Sequence, residues 1–312
     1  MNDTADPLTD VFDALRLTGG LYFAADLRGD FAVAVPPDRD TIRFHLGLSG
    51  SCGVAVPGFT SETLSAGDWA IVPHGVTQTL FRGRAGQPMP LSAALARGRL
   101  SPEGRFHLGT DGARTELLCG FCEFRSGYSH PLLTQLPPML ILRRAEIEAD
   151  AALSAITAIL VAEAGAGQGG KTAILTRTIE TLFLLVIRRM TDAAQGASGG
   201  FVSVLADERL GRSVRAMHSR PEMPWTLPDL ARMAGMSRSA FAEAFAKKAG
   251  MGPAAYLRLW RMIRARELLR GTDLDVAEIA ARCGYESLPS FSARFKKETG
   301  LGPGAYRRGV KA

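Results

Sequence analysis

A stretch near the C-terminus occurs twice, and the register between its copies restricts the fold more than any other feature of the chain. The first copy, LPDLARMAGMSRSAFAEAFAKKAGMGPAAYLR, runs from Leu227 to Arg258; the second, VAEIAARCGYESLPSFSARFKKETGLGPGAYRR, runs from Val276 to Arg308. Up to a glycine the copies match at an offset of 49: Leu230 with Ile279, Ala231 with Ala280, Gly235 with Gly284. Beyond it the offset is 50: Ser237 with Ser287, Phe241 with Phe291, Phe245 with Phe295, Gly250 with Gly300, Pro253 with Pro303, Tyr256 with Tyr306. One residue has been added between the two halves of the second copy and nothing else has shifted. Two unrelated segments would not keep that register, so the copies are one structural unit, duplicated.

Each copy reads as helix-turn-helix. Apolar residues recur at helical spacing in the first half: Leu227, Leu230, Ala231 and Ala234, then Val276, Ile279, Ala280 and Cys283. Gly235 and Gly284 are placed to end that helix in a left-handed cap, and Ser237 and Ser287 to cap the next one. On the second helix the paired phenylalanines point inward. A rotation of ~100° per residue then turns Ser239, Ala242, Glu243 and Ala246 outward in copy one, and Pro289, Ser292, Ala293 and Lys296 in copy two. Short and polar side chains suit a helix lying close to base edges in a major groove. The base-reading sets are therefore Arg238, Ser239, Ala242 and Glu243, and Pro289, Ser290, Ser292 and Ala293. Lys247, Lys248, Arg294, Lys296, Lys297 and Arg307 flank them at phosphate level. Between the copies, Pro253 to Arg270 reads as one helix of ~18 residues, roughly 27 Å, a rod suited to holding two reading helices about one DNA turn apart.

Charge supports a polyanion partner for this half. Residues 213–312 hold 18 Lys+Arg against 9 Asp+Glu, while the rest of the chain holds 19 against 22, so the net charge of +6 comes wholly from the repeated region. A helical bundle that touches no nucleic acid would not need that excess. The 312 residues suggest two domains with a connecting element, and 46% apolar with 22% charged residues is ordinary globular composition. No run approaches the ~18 uncharged apolar residues of a membrane span, and the acidic start MNDTADPLTD does not read as a signal peptide. Four cysteines are too few for a disulfide framework, which points to the cytoplasm.

Residues 225–308 resemble the DNA-binding domain of the AraC/XylS family of transcription regulators. The matching residues include Trp225-Thr226-Leu227, Ala234-Gly235-Met236-Ser237, Phe241, Phe245, Gly250, Pro253, Tyr256 and Arg261, then Ile279-Ala280, Gly284-Tyr285, Phe291, Phe295-Lys296, Gly300, Pro303 and Tyr306. The resemblance implies double-stranded DNA as partner and activation through contact with RNA polymerase. It departs at Glu243, where many family members carry arginine: a carboxylate accepts from cytosine or repels phosphate and cannot donate to guanine.

The N-terminal half reads differently. After a short helix from Pro7 to Leu17 come alternating runs punctuated by Gly and Pro: LYFAADL, FAVAVP, TIRFHLGL, CGVAVP, WAIVP, VTQTLF, then FHLGT and TELLCGFCEF. Such spacing predicts an antiparallel sandwich or barrel. The run IRFHLGLSGSCGV with LSAGDWAIVPHGVTQTL resembles the cupin-type barrel that serves as a sensor in such regulators, carried by Gly50, Gly67-Asp68, Pro73 and Gly75. Gln87 to Gly104 reads as a long loop, 130–142 carries no clear pattern, and Ala151–Ala164 and Lys171–Ala194 read as apolar helices suited to dimerisation or to packing on their own sheet. QGASGG at 195–200 reads as a linker and Phe201 to His218 as one helix. The expected fold is thus α+β: a cupin-like antiparallel β-barrel in 1–145, a helical segment in 146–198, and an all-α domain in 200–312 with two helix-turn-helix motifs at about 227–249 and 276–299.

The chemistry-bearing residues of the barrel are sparse. Many cupins hold a metal with H-x-H, a Glu and a later His; here His45 is followed by Gly47, and Gln78 stands where a later His would complete the set. The remaining candidates are His45, Cys52, His74, Cys119 and His130, and a site needs three or four of them to converge. The reading carries no metal, no cofactor and no catalytic group. A metal-dependent cupin enzyme or metal sensor fused to a DNA-binding domain is the alternative. Cys119 and Cys122 form C-x-x-C, but positions i and i+3 of a strand face opposite sides. Phe23, Phe31, Phe44, Trp69 and Phe81 are either core or the lining of a pocket for an unknown small effector.

Overall fold

The computed structural model describes residues 7–15, 17–38, 41–83, 87–102, 104–124, 130–165, 167, 169–193 and 200–311. Packing divides the chain into two units: Leu17–Phe124 with Leu136–Val186, and Met1–Arg16 with Arg125–Gln135 and Ile187–Ala312. Neighbourhood in space therefore departs from order along the chain. The first helix, α1 (Pro7–Leu15), belongs with the C-terminal helices and not with the strands that follow it.

The first unit is mostly sheet. In chain order it holds β1 (Leu17–Arg28), β2 (Phe31–Val35), β3 (Thr41–Ser49), β4 (Ser51–Ala55), β5 (Glu62–Ser65), β6 (Trp69–Val72), β7 (Gln78–Arg82), β8 (Met89–Pro90), α2 (Leu91–Arg97), β9 (Arg99–Leu100), β10 (Arg105–Leu108) and β11 (Arg114–Phe124). After α3 (Pro131–Thr134), which belongs to the other unit, follow β12 (Leu140–Leu142), α4 (Arg144–Glu148), α5 (Ala151–Gly165) and α6 (Lys171–Ala193), which from Ile187 onward belongs to the other unit. The stretch expected as a loop from Gln87 to Gly104 thus contains two short strands and a helix. Ala94 of α2 is fully buried, and that small apolar anchor is too slight a signal to read from sequence.

The strands form two sheets, not the closed barrel that the spacing of the runs suggested. A seven-stranded sheet runs β12-β6-β3-β11-β1-β10-β9 and a five-stranded one β5-β4-β7-β2-β8. Run spacing signals strands; whether the outermost ones also pair is decided by long-range hydrogen bonds that no local pattern encodes. The core lies between the sheets, with Leu27, Val33, Val54, Leu80, Phe106 and Leu117 among its buried members. β2 alternates buried and half-buried residues, as a strand with one covered face must. β3 is buried at seven successive positions because its second face is covered too: Phe44 reaches Phe183 of α6 with ring centres 6.2 Å apart. Gly19 of β1 lets α6 approach, since a Cβ there would sit 2.6 Å from the Ile179 side chain. Cys119 and Cys122 behave as strand geometry requires: Cys119 belongs to the inter-sheet core, whereas Cys122, on the opposite face, feels Glu180 of α6.

The second unit is helical. After α6 come α7 (Phe201–Ala206), α8 (Glu208–Ser219), α9 (Leu227–Met233), α10 (Arg238–Ala249), α11 (Pro253–Gly271), α12 (Val276–Arg282), α13 (Leu288–Thr299) and α14 (Pro303–Lys311). The single helix expected from Phe201 to His218 is broken at Asp207, whose carboxylate accepts from the amides of Arg209 and Leu210 and so starts α8 afresh. The linker expected at 195–200 falls, except for Gly200, outside the described residues. Among those described, no helix is long and apolar enough to cross a membrane.

Candidate nucleic-acid interface

The duplicated sequence folds into duplicated helix pairs, α9 with α10 and α12 with α13, and the two offsets recur in their boundaries. Both pairs turn through the same cap. Gly235 (φ 62°) and Gly284 (φ 73°) occupy the left-handed region, where a Cβ would be strained. Around them the amide of Met236 donates to the Ala231 carbonyl at 2.9 Å and that of Tyr285 to the Ala280 carbonyl at 3.0 Å, a Schellman closure in each copy. The Ser237 hydroxyl then accepts from the Ala240 amide and Ser287 from the Ser290 amide, both at 3.3 Å, which starts α10 and α13. Phe241, Phe245, Phe291 and Phe295 are fully buried, so the rotation of both helices is fixed by their inward faces.

That rotation leaves Arg238, Ser239 and Glu243 exposed on α10, with Ala242 half-buried. On α13 it leaves Pro289, Ser290 and Ala293 exposed and Ser292 half-buried. The six cations expected at phosphate level separate into two groups. Lys247, Lys296 and Lys297 are exposed. Lys248 pairs with Asp207 at 2.7 Å, Arg294 with Glu298 at 2.6 Å, and Arg307 donates to the Leu274 carbonyl at 2.6 Å. Each of those three already has a partner within the protein.

Of the residues that support the pairs, Gln135 and Arg209 left no trace in the sequence pattern, and Arg261 entered only through the family resemblance. Gln135 donates to the Ala249 carbonyl at 2.7 Å and accepts from the Phe201 amide, closing the end of α10 against the start of α7. Arg209 donates to the carbonyls of Ala234 at 3.2 Å and Gly235 at 2.5 Å, at the turn of the first pair. Arg261 reaches from α11 to the carbonyls of Pro221 and Met223 at 2.7 and 2.8 Å, and its guanidinium lies where a Cβ on Gly284 would stand. One arginine on the connecting rod therefore touches the approach to the first pair and the turn of the second.

Comparison with known proteins decides what this arrangement belongs to. A family model described as a cupin matches residues 6–192, and one described as a helix-turn-helix domain matches residues 230–309. A putative AraC-like transcription regulator of Streptomyces lividans is 29% identical over 283 residues, covering 90% of this chain and 91% of the relative. The RCS-specific HTH-type transcriptional activator RclR of Escherichia coli K12 is 30% identical over 235 residues, covering 70% of this chain and 81% of the relative. The chain belongs to the AraC-type transcription regulators with an N-terminal cupin domain. A crystal structure of an AraC-type regulator from Chromobacterium violaceum is also similar, at 29% identity and a TM-score of 0.31, covering 33% of this chain and 91% of that one. Membership of that family makes the protein a DNA-binding transcription regulator.

In the cupin domain of this regulator the metal-ligand candidates do not converge. The His45 Nδ1 lies 3.1 Å from the Cys119 sulfur, and Cys52 belongs to the same core cluster as Cys119. His74 contacts the Leu136 carbonyl at 2.8 Å through Nε2. His130 belongs to the other unit, where its ring faces Tyr256. Among the described residues no group of three or more His, Cys, Asp or Glu is arranged to hold a metal. Burial holds the His45 imidazole neutral, with its pKa lowered to about 4, and pushes the Cys52 thiol up to about 12. What the domain does contain is a cavity of about 300 Å³ between the sheets. Of the five aromatics considered for such a pocket only Phe23 lines it, joined by Tyr22 and Phe106; Phe44 and Trp69 pack on each other instead, at 5.2 Å.

Proposed function

We propose that both helix pairs are helix-turn-helix readers and that α10 and α13 enter two successive major-groove segments of one promoter site. The observation that carries this reading is the repetition of cap, turn and buried phenylalanine pair with an unrepeated outer face. A scaffold kept residue for residue beside reading faces that differ, Ser239 and Glu243 against Pro289 and Ala293, fits an asymmetric operator. α11, at 19 residues, is a rod of ~28 Å between them. Lys247, Lys296 and Lys297 supply phosphate contacts, with Lys248, Arg294 and Arg307 available only if their internal partners release them.

The cupin domain, on this reading, receives a small effector, and binding shifts the population of DNA-competent arrangements. Ile159 and Val161 on α5 and Ile174 on α6 stand 40–46% exposed, which supports use of these helices in a homodimer. Activation through RNA polymerase fits the name of the RclR relative, an activator. Four free cysteines suit a cytoplasmic setting.

Genome-wide mapping of bound sites followed by footprinting of the purified full chain tests the proposal. The expected result is protection of two adjacent major-groove segments on one face of the duplex. Glu243→Ala should change base preference in one of them and leave the other as it was. Equal affinity for every duplex at matched salt would sink the sequence-specific reading. A single protected segment would remove the second reader.

A further inference from the structure

The cavity between the two sheets carries a chemical signature of its own. Most of its wall is apolar, formed by Phe23, Leu27, Val33, Leu80, Phe106 and Leu117. Polar side chains share that wall: Arg43, His45 and Gln78, at 4%, 4% and 0% exposure, together with Tyr22 and Asp38. The Gln78 amide is the unusual one. Neither its oxygen nor its nitrogen has a hydrogen-bond partner, and the Nε2 of His45 has none either. Gln78 lies close enough to His45 to bear on its protonation, yet the pair makes no hydrogen bond of ordinary geometry. Buried polar groups are nearly always paired, because an unpaired one keeps the whole cost of its desolvation. An amide whose oxygen and both N–H donors are unpaired, beside an unpaired imidazole nitrogen, in the wall of a cavity of the size small ligands occupy, points to a missing partner.

The local charges say what kind of partner. The charge of Arg43 is already compensated: its guanidinium donates to the Pro36 carbonyl and lies 3.7 Å from the Asp38 carboxylate, leaving only its Nε unpaired. His45 is held neutral by burial, and the Cys119 thiol beside it is pushed up by the same cause and stays protonated. No uncompensated charge is left to attract an ion into the apolar space. Apart from the Arg43 Nε, the unpaired groups are the neutral amide of Gln78 and the neutral imidazole of His45, which a hydroxyl, itself both donor and acceptor, complements.

We propose that this cavity binds an uncharged, mostly apolar molecule bearing one hydroxyl, of the phenol or alcohol class. The hydroxyl pairs with Gln78 and His45 while the hydrocarbon body fills the space against Phe23, Leu80 and Phe106. The proposal rests on the reading of the cupin domain as the effector domain and names the effector's chemistry. It also assigns Gln78 as the residue that sets specificity.

The test uses three probes with one body and three heads: 4-butylphenol, butylbenzene and 4-butylbenzoate, titrated calorimetrically into the full chain. The phenol should bind most tightly, by about ten-fold over each of the others, roughly what one buried hydrogen bond contributes. Gln78→Met should bring the phenol and the hydrocarbon within about two-fold of each other. It should also raise the melting temperature of the ligand-free protein, because it removes an unpaired buried amide. Leu80→Trp, which fills the cavity, should abolish binding of all three. Tightest binding by the benzoate, no binding by any probe, or unchanged discrimination in Gln78→Met would each overturn the proposal. So would a lowered melting temperature in Gln78→Met, which would mean that ordered water already satisfies the amide. Footprinting the same preparations keeps the two readings apart. Phenol binding that leaves the DNA footprint unchanged supports this site and removes only its regulatory role. An intact footprint with no probe binding removes this site and leaves the DNA reading in place.

Discussion

The two helix pairs are nearly one object in sequence, yet they are held in different ways. The pair α9–α10 is embedded. Phe245 packs on Tyr256 at 5.8 Å, and Tyr256 packs on Phe201 at 4.8 Å. The Tyr256 hydroxyl stands between the Nε2 atoms of His218, at 2.6 Å, and His130, at 3.3 Å, and the other nitrogen of His218 faces Asp10 at 3.4 Å. Four separate stretches of chain therefore converge behind the first pair. The pair α12–α13 stands on a core of its own, built with α11 from residues such as Met262, Leu269, Ile279 and Phe295. Its matching tyrosine, Tyr306, packs on Phe295 at 5.2 Å under the guanidinium of Arg270, and its hydroxyl makes no hydrogen bond of ordinary geometry. Duplication preserved the turn and the inward phenylalanines, while the surroundings of each copy were free to diverge.

The largest expected effect comes from emptying the two cores. Phe245→Ala and Phe295→Ala should each cost about 3–5 kcal/mol in urea unfolding. Phe295→Ala should lie at the lower end, because the second pair has fewer neighbours to hold a cavity open. Equal costs would mean that the extra packing behind the first pair adds no rigidity.

The tyrosines should separate the copies more sharply. Tyr256→Phe leaves two buried imidazoles without their hydroxyl and should cost about 1–3 kcal/mol, whereas Tyr306→Phe should fall within ~0.5 kcal/mol of wild type. Acid probes the same asymmetry. Burial lowers the pKa values of His130 and His218 below the ordinary 6.5, with Asp10 partly opposing the shift at His218. Between the folded and unfolded values the unfolded chain binds protons that the folded chain refuses. The stability is therefore present above pH 6.5 and is lost as the pH falls toward the folded values. Neither copy contains a histidine of its own, and His130 and His218 both face Tyr256 of the first. Amide exchange should accordingly rise in α10 before α13 on acidification, and the opposite order would break the comparison.

The smallest effect concerns DNA. Lys247→Gln and Lys297→Gln occupy equivalent positions, and each should lower the salt slope of binding by about 0.9 while weakening all sequences alike. A slope change at only one of them would show that the two exposed lysines do not sit equivalently on the backbone.

Much of this was legible because it is written in short-range chemistry. The glycine and serine that fix each turn, and the phenylalanines one helical turn apart, are local instructions, and the boundaries of α9 to α13 follow from them. The alternating runs of the cupin domain announced strands for the same reason. Asp207 was also local, yet its capping role was hidden inside an apolar run that otherwise continues as a helix. Phosphate assignments were legible only as charge: Lys247 and Lys248 look alike in sequence, and the Asp207 partner that occupies one of them lies 41 residues away.

By itself, then, the sequence determined that the chain carries two copies of one turn, basic in balance, with different outer faces, because cap geometry and helical period act over a few residues. Only the tertiary structure decided that the strands form two sheets, that α1 joins the C-terminal helices, and that Gln78 and His45 meet in an apolar cavity with their polar atoms open. Those outcomes depend on pairing between distant strands and on which buried groups find partners, and neither is encoded in any single stretch of chain.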